Sequence, residues 1–257
     1  MGAILVLKVN FYGSSSKGNC LVLEDNDSAI MVDCGVKNVE KKIDTEKLDG
    51  ILISHQHLDH CKNVKELKDY VKCKFYSHKE CLDTLPLLNH QKQEIKEMTL
   101  TNIGNFKVIA TEIYHDVKNY MFLIKHIPSG MKILYATDTS SFDNIATKDV
   151  DIFCIECHHD DSWIQEKEDI DFIDIRNYSD YGHLSLQDCL LFLKSNVNIN
   201  TKYIFLIHIS SSFDNYKSFE QYIQKEFPDV NVIAVDPKTK DSQEIILKED
   251  FEQFVFD

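Results

Sequence analysis

Residues 54–60 read Ser54-His55-Gln56-His57-Leu58-Asp59-His60 and follow directly on the apolar run Ile51-Leu52-Ile53. Three imidazoles and a carboxylate fall within six consecutive positions of a chain that has 11 histidines in all. Neutral imidazole and carboxylate form a ligand set that suits zinc, manganese or iron. A strand ending in a tight loop can aim His55 and His57 at one cation, with Asp59 and His60 turned towards a second. The heptapeptide therefore predicts a dinuclear metal site on a strand end.

The rest of the chain sets the frame for that site. Its 257 residues are 43% hydrophobic, enough for a packed core, and no Pro/Gly/Ser-rich linker, low-complexity tract or repeat divides them. One domain over residues 1–257 is expected. Residues 1–9 lack the basic start and cleavage site of a signal peptide, and no apolar run approaches the roughly 18 residues of a membrane span. The expectation is a cytoplasmic, soluble protein with no membrane partner. Eight cysteines, mostly beside apolar runs, read as reduced core thiols, and the lone Cys154-x-x-Cys157 pair falls inside a strand-like stretch. The formal charge is -14, with Arg176 the single arginine among 28 basic residues. That balance argues against a broad groove for duplex nucleic acid, because each phosphate contact wants a Lys or Arg. A few lysines beside two cations could still hold a short strand.

Apolar periodicity predicts strands at residues 4–12, 19–24 and 29–33, opening as a β-meander with a turn at Asp25-Asn26-Asp27-Ser28. Helix is expected over 62–70 and in segments between 79 and 88, with a strand at 74–77 between them. Further strands are expected at 107–111, 120–125, 132–137, 152–156, 203–208, 230–235 and 243–247, and helices at 185–194 and 218–227. Strands first, then strands alternating with helices, fit an α+β sandwich of two sheets with helices outside. Strand-end loops along one edge are then free to carry a site.

Four more ligand-type residues follow strands: Asp33 after 29–32, His115 after 109–114, Asp138 after 133–137 and His208 after 203–207. The succession Asp33, His55-x-His57-x-Asp59-His60, His115, Asp138, His208 resembles the five motifs of the metallo-β-lactamase superfamily and spans about 70% of the chain. The resemblance implies an αββα four-layer sandwich of two mixed sheets flanked by helices. It implies two divalent metal ions, zinc first and manganese as the alternative. His55, His57 and His115 would hold one metal, Asp59, His60 and His208 the other, and Asp138 would bridge them. Asp33 would bind no metal but would fix the orientation of a ligand. With Asp rather than Cys at the bridging position, a true β-lactamase is not expected.

Three segments narrow the branch. Ile155-Glu156-Cys157-His158-His159-Asp160, Gly182-His183-Leu184-Ser185 and Ile207-His208-Ile209-Ser210 resemble motifs of the RNase Z-like phosphodiesterases. Gly13-Ser14-Ser15-Ser16-Lys17-Gly18-Asn19-Cys20, together with residues 156–160 and 182–185, looks closer still to the YycJ-like (WalJ-like) bacterial and phage branch, associated with DNA exonuclease activity. The long exosite arm of many tRNA-processing RNase Z proteins has no counterpart here. The resemblance implies hydrolysis of a phosphodiester by a metal-bridging hydroxide, metals lowering the pKa of water towards about 7. Asp59 would orient the water, and His183, kept protonated by Glu156, would supply a proton to the leaving alkoxide.

Other readings stay open at this point. A phosphodiesterase for cyclic nucleotides, as in phage-encoded degraders of immune signals, would accord with the acidic charge. A thioester or lactone hydrolase would leave His183 and Ser185 without a use, and a non-catalytic scaffold would not need the full ligand set. Nucleic acid or a small nucleotide is the expected partner, and a homodimer is compatible with the branch. The acidic, aromatic stretch 161–181, with Trp163, Phe172, Tyr178 and Tyr181, reads either as a base-stacking lid or dimer-contributed loop, or as a loop packed on the core. Arg176 in it could clamp a phosphate. The loop 13–18 reads either as a phosphate-facing loop or as a plain strand connection. Ser185 is a natural N-cap for the helix that follows.

Overall fold

Alternate residues of strand β2 (Cys20–Glu24) enter different cores: Leu21 and Leu23 join one buried cluster, Cys20 and Val22 another. In β10 (Lys132–Ala136), Ile133 and Tyr135 join that first cluster, while Leu134 and Ala136 enter a third. A strand apolar on both faces belongs to a layer covered on both sides. The computed structural model describes residues 5–142, 145–162, 182–212, 215–238 and 243–249, and its layers follow this pattern.

Sheet one has the order β14 (Gln243–Glu249), β1 (Leu5–Gly13), β2, β3 (Ala29–Val32), β4 (Leu48–Leu52), β5 (Lys74–Ser77) and β6 (Lys92–Glu94). Its first three pairings are antiparallel and its last three parallel. Sheet two has the order β13 (Asn231–Ala234), β12 (Tyr203–Ile207), β11 (Ile152–Glu156), β10, β9 (Asn119–His126), β8 (Phe106–Ile113) and β7 (Thr101–Ile103). Taken from β7, it too has three antiparallel pairings and then three parallel ones. The shared core lies between the sheets, where Phe11 meets Phe205 with ring centroids 5.2 Å apart.

Helices α1 (Leu58–Cys61), α2 (Val64–Leu67) and α3 (Lys79–Thr84) belong to sheet one's outer side, where Val64, Leu67 and Leu82 cluster with Met31, Ile51 and Phe75. Helices α4 (Leu186–Asn196) and α5 (Lys217–Glu226) cover sheet two through Leu190, Leu193, Phe219 and Ile223. The result is the expected helix-sheet-sheet-helix sandwich. Ser185 caps α4 as expected, its Oγ accepting the Asp188 N–H at 3.1 Å. No helix among the described residues is long and apolar enough to cross a membrane.

The departures from expectation are local and have physical causes. The helix expected over 62–70 is instead α1 and α2, beginning inside the heptapeptide at Leu58. Asn63 divides them, its N–H bonding the carbonyl of Cys34 at 3.1 Å, outside the helix. The helical stretch expected to reach Leu88 stops at Thr84, because Leu85 precedes Pro86 and takes an extended conformation. Strands β6 and β7 were not expected. Lys92-Gln93-Glu94 is polar throughout and carries no apolar alternation. The eight cysteines are free thiols, seven of them buried, and Cys154 and Cys157 are core residues. Trp163, Phe172, Arg176, Tyr178 and Tyr181 lie outside the described residues.

Phe205 is fully buried between the sheets, so Phe205→Ala should lower the unfolding free energy by about 3–5 kcal/mol. Urea denaturation reads this directly, and a loss below about 1 kcal/mol would contradict the packing between the sheets.

Candidate metal centre

The strands that pair in parallel deliver polar residues from their carboxyl ends, the usual place for a site on an open mixed sheet. Asp33 follows β3, His55 follows β4, Asp138 follows β10, Glu156 ends β11 and His208 follows β12. Asp33, Asp138 and His208 all have left-handed backbones, with φ of 59°, 54° and 52°. Such a conformation is uncommon outside glycine and costs on the order of 1 kcal/mol, though Asp and His tolerate it better than most. It turns the chain sharply just where each strand leaves its sheet.

Asp33 is fully buried and organises the first ligand-type histidines. It accepts bonds from the Ser54 N–H (2.8 Å), the Ser54 hydroxyl (2.9 Å), the Tyr135 hydroxyl (2.8 Å) and His60 Nδ1 (2.7 Å). Ser54 Oγ also lies 3.0 Å from His55 Nδ1. If both imidazoles carry their proton on Nδ1, as these acceptors require, each presents an Nε2 lone pair to the centre. Asp33 thus reaches His60 directly and His55 through Ser54.

The structure brings together every predicted ligand in two groups. Donor atoms of His55, His57, His115 and Asp138 lie within 4.8 Å of one another, as do those of Asp59, His60, Asp138 and His208. Asp138 belongs to both. Either group could hold a divalent cation, and the donors fit one chemically. His55 Nε2 is buried with no hydrogen-bond partner, 3.8 Å from Asp138 Oδ2. Burial holds the His55 imidazole well below its ordinary pKa, as a neutral ring with a lone pair aimed inward. An unmatched buried nitrogen is costly, and a cation would satisfy it.

The second group carries a strong negative field. Burial works against charge on Asp59, yet hydrogen bonds from His208 and His60 hold its carboxyl well below the carboxylate range. Burial likewise opposes a charge on His208, but Asp138, Asp59 and Glu156 push it up to about 10. A centre that draws protons so strongly onto imidazoles attracts divalent cations by the same field.

Glu156 is fully buried and serves two histidines through one oxygen. Its Oε1 lies 2.7 Å from His183 Nδ1 and 3.1 Å from His208 Nδ1, while Oε2 accepts the Thr139 N–H at 2.8 Å. Burial alone would raise its pKa, but the His183 charge and the bonds from both histidines hold it at about 2. The sequence tied Glu156 to His183 alone, and the link to His208 is new. His183 stacks on both His158 (centroids 4.2 Å apart) and His208 (5.1 Å), which are themselves 5.7 Å apart, and its pKa is raised by Glu156 against burial.

Several contributors escaped the sequence reading. Asn19 Nδ2 lies 3.2 Å from Asp59 Oδ2 and 3.0 Å from His60 Nε2, and Asp116 Oδ1 lies 3.1 Å from His115 Nε2. Ser14 Oγ accepts the His208 N–H at 2.8 Å. Ser14 and Asn19 stand within the Gly13–Cys20 segment, which gave them no individual role, and the only signal for Asp116 was its place beside His115. Two of the glycines that leave no room for a Cβ stand against predicted ligands. A Cβ on Gly35 would stand 1.5 Å from the carbonyl oxygen of Asp59. A Cβ on Gly182, whose φ is +102°, would stand 2.3 Å from His115 Nδ1.

Residues 29–209 match the family described as the Beta-lactamase superfamily domain. The chain belongs to this family. Among relatives in the beta-lactamase superfamily, the exodeoxyribonuclease YycJ of Bacillus anthracis is 24% identical over 219 residues, 79% of this chain and 83% of that one. The exodeoxyribonuclease WalJ of Streptococcus pneumoniae is 28% identical over 222 residues, 79% of this chain and 81% of that one. The solved structure of the metallo-beta-lactamase fold protein YhfI from Bacillus subtilis superposes with a TM-score of 0.75 at 17% identity, covering 95% and 99% of the two chains. The matched span of the superfamily domain runs from β3 to the residue after His208, and so encloses every residue of both donor groups.

Because Gly182 borders His115, Gly182→Ala should weaken the His55/His57/His115 group by about 10- to 100-fold in metal affinity, the usual cost of disturbing a ligand's support. Elemental analysis after dialysis should show about one metal equivalent lost while circular dichroism keeps the wild-type spectrum. Full metal retention would exclude this role for Gly182.

Proposed function

We propose that this metal-dependent hydrolase is a two-metal phosphodiesterase that degrades DNA as an exonuclease, with zinc as the native metal and manganese as a working substitute. In this reading His55, His57 and His115 would hold one cation and Asp59, His60 and His208 the other, with Asp138, which belongs to both donor groups, serving either. Bound divalent cations supply Lewis acidity, bringing the pKa of water towards about 7 and screening charge on the phosphoryl group. Asp59, the most solvent-facing carboxylate of the two groups at 19% exposure, orients the attacking water and takes up its proton. His183 donates a proton to the leaving sugar oxygen, and Glu156 holds its Nδ1 so that Nε2 serves as the donor.

The observation that carries the reading is the shared Glu156 oxygen, which couples His183 to His208 across 2.7 and 3.1 Å. A leaving alkoxide of high pKa needs a positioned proton donor, whereas a thioester or lactam needs one far less. The names of the YycJ and WalJ relatives support DNA as the substrate. A second reading, hydrolysis of small cyclic nucleotides, is favoured by the net charge of -14.

Incubation with zinc or manganese and end-labelled single- and double-stranded DNA, RNA and cyclic nucleotides separates the two, with Asp138→Ala as the inactive control. Progressive shortening of DNA is expected. Cleavage confined to cyclic nucleotides would replace the first reading with the second, and no cleavage of either would overturn both. His183→Ala should lower the rate on an alkyl-leaving phosphodiester by about 10²- to 10⁴-fold and far less on a p-nitrophenyl one. Equal losses on the two would remove the proton-donor role.

A further inference from the structure

A cleft of about 550 Å³ opens beside the loop 13–18 and is lined by Lys17, Lys37, Lys42, Lys62 and Lys238 together with Ser15, among others. Among the described residues none that lines it is acidic, in a chain where 42 acidic residues outnumber 28 basic ones. Like charges gathered without carboxylates between them raise the local potential and favour an anion.

The cleft is joined to the candidate metal centre by hydrogen bonds at both ends of the loop. Ser14 at one end of the loop bonds the His208 N–H, and at the other end the Asn19 N–H bonds the Asp59 carbonyl at 2.7 Å. Lys62 lies one residue past α1, which carries Asp59 and His60, and its Nζ bonds the Lys17 carbonyl across the loop. The loop is therefore a partition, with the His60 and His208 side of the centre against one face and lysines along the other.

We infer that this cleft is a phosphate-binding subsite that grips the sugar-phosphate backbone of the substrate strand beyond the scissile bond. The inference rests on the nuclease reading and deepens it. An overall acidic protein can hold a polyanion if the few cations that meet it are concentrated where the strand enters or leaves the site. The spacing of several lysines around an open cleft suits a flexible run of phosphates, since ammonium groups act as adaptable point charges rather than as rigid forks. Sequence preference is not expected from such contacts, because phosphates carry no base identity.

The test is equilibrium binding of a short fluorescein-labelled, single-stranded phosphorothioate oligodeoxynucleotide to the zinc-supplemented full chain, read by anisotropy at several salt concentrations. The double variant Lys17→Ala/Lys37→Ala removes two exposed lysines of the cleft. Lys107→Ala/Lys125→Ala removes the same charge from paired positions on β8 and β9, remote from the ends of those strands that approach His115. The cleft variant should bind more weakly, and its salt slope should fall by about 1.4, so that raising salt from about 50 to about 200 mM costs it roughly sevenfold less affinity than it costs the wild type. The β8-β9 variant should match the wild type. Equal weakening by both variants, or by neither, in a protein that binds and shortens DNA would overturn the subsite alone. Failure of the wild type to bind or cut any oligonucleotide would instead overturn the nuclease reading on which the subsite rests.

Discussion

Three carboxylates, Asp33, Asp138 and Glu156, are buried at the edge where the two sheets meet, and a carboxylate taken out of water costs several kcal/mol unless it is paired or well hydrogen bonded. Much of the architecture around the centre answers that demand. Ser54, Tyr135 and His60 surround Asp33, Thr139 and two histidines surround Glu156, and Asp138 sits between both imidazole groups. The same contacts that satisfy the carboxylates orient the histidines, so stability and site geometry have one cause. Removing one partner would leave a charge stranded in the interior, which explains why the surroundings are so completely specified.

The topology places these groups twice over. Each sheet passes through three antiparallel pairings and then three parallel ones, and the change occurs at β3 in one sheet and β10 in the other. Asp33 and Asp138 follow those two strands, both with left-handed backbones. They occupy corresponding places in the two sheets, yet their work differs: one orients a histidine from behind, the other stands between the two donor groups. A shared backbone arrangement thus offers two equivalent positions, and the side chains gathered around each decide what it becomes.

Much of this was legible in the sequence, for identifiable reasons. The heptapeptide announced itself through residue type and density, and the strands through runs apolar on both faces. Asp33, His115, Asp138 and His208 were visible because each follows such a run. The α1-α2 break was not legible, because it depends on a bond from Asn63 to a distant carbonyl, and β6 was not, because it is wholly polar. Asn19 and the link from Glu156 to His208 join residues far apart in sequence, and no local pattern carries such a pairing. The lysines of the cleft are individually ordinary surface residues. Their concentration appears only when β1, the loop after β3, α1 and residues 237–238 are folded together.

Strand β1 lies between β2 and β14, and so its second neighbour comes from residues 243–249. During synthesis β1 and β2 can pair early, but the other edge of β1 stays open until nearly the whole described chain has left the ribosome. An unpaired strand edge is a template for unwanted association, and contacts of such long sequence separation form slowly. The centre faces the same delay, since His208 is joined to Ser14 and Asp59 only after β12 exists. The order of manufacture therefore keeps the nascent chain sticky and its centre incomplete together, and the late strands end these conditions in turn, β12 completing the centre and β14 closing the edge.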